Sequence, residues 1–136
     1  MIPEQLQNEE FYQKLAHLFY AVAMADKKMV IEEKRKIVLY VEKYWSHSFN
    51  KNESKEVIYE TMRELIRQQT TSEDAFEVFK TYYQNRSNDF SDDLCQKIME
   101  AADAIATSFS KRNKSELVLL TKLHNLLFNG FDNRLN

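Results

Sequence analysis

A chain of 136 residues fits one domain and is long enough to bury a core of its own. With 43% hydrophobic and 29% charged residues it has the balance of a globular protein, not a disordered one. The net charge of −2, from 19 basic and 21 acidic residues, argues against nucleic-acid binding, which draws its affinity from a basic excess.

Fold class follows from two scarce residues. One Gly and one Pro stand far below the roughly 7% and 5% of average usage. Sheets, sandwiches and Gly-rich phosphate loops need many tight turns and positive φ angles, so the expectation is an all-α fold. The single cysteine, Cys95, excludes an internal disulfide and suits a reducing compartment. Its place between Leu94 and Ile98 on an apolar helical face marks it as buried, not catalytic. The opening MIPEQLQNEE is polar and acidic, unlike a signal peptide, and the apolar run Leu18–Ala25 is far shorter than the ~20 residues of a spanning helix. A cytoplasmic protein with no membrane insertion is expected.

In chain order, Pro3 suits the first turn of a lead-in helix. A first long helix is predicted over Glu10–Ala25, with Leu15, Leu18, Phe19, Val22 and Ala25 at helical spacing. Asp26-Lys27-Lys28 breaks the pattern. A second helix, about Ile31–His47, carries Ile31, Ile37, Val38, Val41, Tyr44 and Trp45, and Phe19 and Trp45 are expected to face each other in the core. The polar stretch Ser46–Asn52 reads as a loop. A third helix, Glu53–Gln69, offers Val57, Ile58, Thr61, Met62, Leu65 and Ile66 as its buried stripe.

Thr71 and Asp74 resemble a capping box opening a fourth helix, Ser72–Asn85, whose stripe is Phe76, Phe79, Tyr82 and Tyr83. The phenylalanines read as core; the tyrosines suit either core or a partly exposed partner surface. After a loop, Arg86–Phe90, Ser91 caps a fifth helix burying Leu94, Ile98, Ala102, Ile105 and Ala106, with Asp92 and Asp93 at its positive end. A polar link, Ser108–Lys111, leads to Asn113 and Glu116, an N-terminal capping signal. The last helix continues through Leu117, Leu120, Leu123 and Leu127 to Gly130. Six or seven helices in one compact bundle, residues 1–136, are thus expected. AVAMADKKMVIEEKRKIVLYV and DAIATSFSKRNKSELVLLTKL further suggest a degenerate internal helix–turn–helix repeat.

The turn between the first two helices resembles the tellurite-resistance TerB-like family, related to the N-terminal domain of DjlA-type co-chaperones. The family pattern is an apolar helix, A-D-G-x-I-S-x-x-E, and a second amphipathic helix. Here those slots hold Ala25, Asp26, Lys27, Lys28, Met29, Val30, Ile31, Glu32 and Glu33. Lys27 replaces the family glycine and Val30 the serine; the second copy keeps Glu116 but has Thr107 and Ser108 where an Asp is expected. The resemblance implies a helical module of stress-response or envelope-linked assemblies and, at Asp26 and Glu33 with Glu32 beside them, a divalent-cation site. No His-Pro-Asp motif is present, so no J-domain accompanies it.

Glu33 has two readings. With Val30 as N-cap it sits at N3, where a carboxylate bonds back to the N-cap N–H and favours the helix dipole. As a ligand it would need company, since calcium takes six to eight oxygens and Asp26, Glu32 and Glu33 supply three carboxylates beside two lysines. Asp103 could join them if the two halves pack face to face. His17, His47 and His124 lack metal-ligand spacing, and no nucleophile–base pair can be assembled. The expected function is therefore a non-enzymatic interaction or scaffold module with an unidentified protein partner and no cofactor. The alternative is a cation-binding domain centred on Asp26, Glu32 and Glu33.

Overall fold

The computed structural model describes residues 9–26, 35, 39, 51–109 and 114–129. Among the described residues, five α-helices have defined bounds, α1 (Glu9–Ala23), α2 (Lys51–Arg67), α3 (Ser72–Asn85), α4 (Asp92–Phe109) and α5 (Lys114–His124), and there is no strand. Short 3-10 turns follow α1 at Met24–Asp26 and α3 at Ser87–Asp89, and a π turn, Asn125–Asn129, extends α5. Arg35 and Leu39 are helical, but the second helix expected over Ile31–His47 otherwise lies outside the described residues. So do Trp45 and one limb of the suggested repeat.

α1 is the central helix. Ten of its 15 residues are buried, from Phe11 to Ala23, which leaves apolar surface on more than one side. Glu9, Glu10, Gln13, Lys14 and His17 share one face of its first half, whereas Leu18 to Ala23 are all buried; a segment apolar all round must be enclosed by others, and α2, α3, α4 and α5 all contact α1. Its small residues Ala16, Ala21 and Ala23 allow close approach, while Phe11, Leu15, Leu18 and Phe19 are fully buried. Each such large side chain contributes about 1.5–3 kcal/mol by leaving water.

The α2–α3 connection is fastened to the end of α1 by side-chain hydrogen bonds. The Tyr20 hydroxyl donates to the Thr70 carbonyl at 2.6 Å, and Ser72 Oγ donates to the Ala21 carbonyl at 2.7 Å. The second bond satisfies a carbonyl that a helix end leaves without an intrahelical partner. α2 itself ends in a Schellman motif. The Thr70 N–H reaches the Leu65 carbonyl and the Gln69 N–H the Ile66 carbonyl, both at 3.0 Å, with Gln69 left-handed at φ 55°. The helix therefore stops at Arg67, two residues before the expected Gln69.

Two of the expected caps are present, and the third, at Asn113, lies outside the described residues. Thr71 Oγ1 accepts the Asp74 N–H at 3.0 Å and Ser91 Oγ accepts the Leu94 N–H at 3.1 Å. The link between α3 and α4 is held by Phe90, whose buried ring lies 4.9 Å from Tyr83 and 6.2–6.4 Å from Phe11, Tyr82 and Phe79, centroid to centroid. These are the separations of favourable edge-to-face and tilted aromatic pairs.

Several expectations are corrected. α1 becomes a 3-10 turn at Met24 before reaching Ala25. Lys51 and Asn52 belong to α2, not to a loop, and Ser108 and Phe109 belong to α4, not to a link. Ile66 is exposed, with Val57 and Thr61 only partly covered, because the stripe that meets α1 is Ile58, Met62 and Leu65. Tyr82 and Tyr83, open to either reading, are both buried. The stripe Leu94, Ile98, Ala102, Ile105, Ala106 is fully buried as expected, and Phe19 with it.

Candidate functional site

Asp26 closes the 3-10 turn after α1, and this turn packs against α5. Glu32 and Glu33 lie outside the described residues, and so does the geometry of the three carboxylates as a group. Asp103, the residue that could have joined them, sits partly buried within α4. Among the described residues no three His, Cys, Asp or Glu side chains gather as a metal-ligand group.

The titratable groups inside the bundle are held in their neutral forms. Burial pushes the Cys95 thiol up to about 11, with Asp92 adding to the rise and a Tyr83 hydrogen bond opposing it. A thiol of that kind is a poor nucleophile at neutral pH. Burial lowers the His17 pKa; a hydrogen bond to the Gln13 carbonyl opposes the fall and Lys14 adds to it. Because a carbonyl only accepts, Nδ1 carries the proton of that 2.8 Å bond. The Tyr12 and Tyr82 phenols are pushed up to about 12, chiefly by burial.

Two surfaces stand out. The first is the outer face of α5. Leu119, Leu120, Leu123 and Leu127 turn into the core, which carries Leu117 and Val118 outward, each 47% exposed. Thr121 lies on the same outward side, its hydroxyl donating to the Leu117 carbonyl at 2.8 Å. That hydroxyl is occupied by its own helix, and the two aliphatic side chains lie between the exposed Lys114 and Lys122, one turn to either side. His124 and Phe128 bring their rings to 4.9 Å at the following turn. Sequence reasoning placed Leu117 on the last helix without assigning it a face; the consecutive Leu117-Val118-Leu119-Leu120 was the signal, since four neighbours on a helix cannot all point inward.

The second surface is an open cleft of about 420 Å³ between α1 and α3, lined by Glu10 and Lys14 on one side and Glu77, Val78, Thr81, Tyr82 and Asn85 on the other. Arg86 at its end lies 3.5 Å from the Glu10 carboxylate and 5.3 Å above the Tyr82 ring. The buried Tyr82 hydroxyl has no hydrogen-bond partner.

No helix among the described residues is long and apolar enough to cross a membrane. No protein-family model matches the chain, and comparison with curated proteins and with solved structures gives no match either.

Proposed function

We propose that this chain is a non-enzymatic helical interaction module of the TerB-like type, a cytoplasmic scaffold that binds a protein partner through the outer face of α5. The observation that carries the reading is the Leu117–Val118 pair, exposed side by side on a helix whose other face is locked into the core. Surface leucines occur singly in most proteins; adjacent aliphatics on a rigid, backed helix are what an interface core is built from. The resemblance at Ala25–Glu33 is what favours a stress-response or envelope-linked assembly. A Leu117→Glu/Val118→Glu pair tests the reading in a cross-linked pull-down from the native host. A partner should be captured by the wild type and lost with the variant, whose helical circular dichroism and melting point stay unchanged. Equal capture by both proteins removes α5 as the binding face.

A further inference from the structure

The charges flanking Leu117 and Val118 narrow the partner's chemistry, an inference that rests on the reading of the outer face of α5 as a docking surface. In a chain of net charge −2, α1 to α4 each carry exposed carboxylates, among them Glu10, Glu60, Glu73 and Glu100. The exposed residues described on α5 are Lys114, Leu117, Val118, Thr121, Lys122 and His124, and none is acidic. Glu116 is the helix's one carboxylate, and the helical period puts its position about 150° round α5 from the midline of Leu117 and Val118. By the same period Lys114 falls within about 10° of that midline and Lys122 about 90° from it. One lysine stands on the face and the other at its edge.

The fold accounts for only one of these cations. Lys122 is in the last turn of α5, where a cation suits the helix dipole. Lys114 opens the first turn, where the dipole disfavours a cation. Among the described residues neither lysine makes an ion pair, so nothing there offsets the cost at Lys114. A second copy of the chain is a poor occupant. An antiparallel two-fold pair of α5 faces sets Lys114 against Lys122, and a parallel pair sets each lysine against itself, so like charges meet either way. An anionic bilayer also fits less well, since an adsorbed helix buries its whole apolar face and that of α5 is turned into the core.

We propose that the outer face of α5 docks an amphipathic helix of a partner protein that carries a carboxylate on either side of its apolar contact, one set against Lys114 and one against Lys122. Leu117 and Val118 meet the partner's aliphatic side chains between those two pairs. The eight-residue separation of the lysines is about 12 Å along the axis. On a helical partner the two carboxylates therefore fall about two turns apart. A helix presents such a face with the same i, i+3, i+4 and i+8 spacing that Lys114, Leu117, Val118 and Lys122 have on α5.

The test is an amide-resolved NMR titration of the full chain at low salt with the peptide acetyl-Gln-Ala-Ala-Glu-Ala-Gln-Leu-Leu-Gln-Ala-Ala-Glu-Ala-Ala-Gln-amide, and with analogues carrying Gln or Lys in place of both Glu. The glutamate peptide should shift the amides of Leu117, Val118 and Lys122 saturably. Two exposed ion pairs are together worth about two- to thirtyfold in affinity. The glutamine analogue should bind more weakly by a factor in that range, and the lysine analogue more weakly still. In Lys114→Glu/Lys122→Glu, with circular dichroism unchanged, the order of the three peptides should invert. The proposal is overturned if the glutamate and glutamine peptides bind alike, if the order does not invert, or if the glutamate peptide shifts no α5 amide. Co-sedimentation of the wild type, but not of that variant, with phosphatidylglycerol vesicles overturns it in favour of an anionic membrane. A dimer that Leu117→Glu/Val118→Glu dissolves overturns it in favour of a second copy. Equal binding of all three peptides at α5 removes the acidic partner and leaves the docking face standing, whereas a partner captured equally by Leu117→Glu/Val118→Glu removes the face itself, so the two failures are distinguishable.

Discussion

Removing one oxygen atom from Tyr82 should make the protein more stable. The side chain is 6% exposed and its hydroxyl has no partner. In the unfolded chain that hydroxyl is bonded to water, so folding forfeits a hydrogen bond at a cost of about 1–3 kcal/mol. Tyr82→Phe keeps the ring, its 6.3 Å contact with Phe90 and the Arg86 guanidinium 5.3 Å above it. Against the gain stands a small loss of dispersion contacts where the oxygen was, so a net stabilisation of about 1 kcal/mol is expected. Tyr20→Phe is the control with the opposite sign. It deletes a 2.6 Å bond to the Thr70 carbonyl and should cost about 1 kcal/mol. Urea unfolding followed by circular dichroism reads both, with equal m-values as the condition for comparison. Alkaline pH gives a second readout. The Tyr82 phenol is raised from 10.0 to about 12, so the neutral form is favoured in the folded state. That contribution is intact below pH 10 and is lost as pH rises towards 12, and the loss should be shallower in Tyr82→Phe. A Tyr82→Phe protein less stable than wild type by 1 kcal/mol or more refutes the reasoning, because the hydroxyl would then be bonded.

Phe19 is fully buried on the central helix, so Phe19→Ala should cost about 3–5 kcal/mol in the same urea assay; a loss below about 1 kcal/mol would contradict its place in the core. Gln69 holds a left-handed conformation at φ 55°, so Gln69→Gly should stabilise by about 0.5–1 kcal/mol, and destabilisation would mean the Schellman turn is not populated in solution. At the family-like turn, the cap reading predicts that wild type melts alike in chelator and in excess calcium and that Glu33→Gln is mild. A calcium-dependent rise in Tm that disappears in Glu33→Gln would make Glu33 a ligand instead.

Much of the helical core is legible in the sequence because apolar spacing reports it directly. Phe76, Phe79 and the stripe Leu94 to Ala106 are buried as the 3.6-residue period predicts, and Tyr82 and Tyr83, which the period left open, are buried with them. The caps at Thr71 and Ser91 are legible for a different reason: a hydroxyl three residues before an unpaired N–H is a local signal. Periodicity identifies an apolar residue but not how wide a stripe its neighbours cover. Ile66 lies roughly 80° round α2 from the line of Ile58, Met62 and Leu65, and Leu117 about 90° from the line of Leu120, Leu123 and Leu127. Both are exposed. The end of α2 was hidden because a left-handed C′ residue is usually announced by glycine, and here it is Gln69. Phe90 was hidden because a lone aromatic in a link has no period; only the fold gathers Phe11, Phe79, Tyr82 and Tyr83 around it. Of the candidate site, Asp26 is legible as a turn residue, whereas the outer face of α5 emerges only once its inner face is known.

The interaction reading is tested most directly by placing a photo-activatable cross-linking residue at Leu117 or Val118 and, as controls, at the exposed positions Glu73 and Glu100. Irradiation in the native host should give one defined adduct from positions 117 and 118 and none from 73 or 100. Adducts of equal yield at all four positions, or no adduct at 117 and 118 under conditions where the protein is folded, would contradict a partner bound at the outer face of α5.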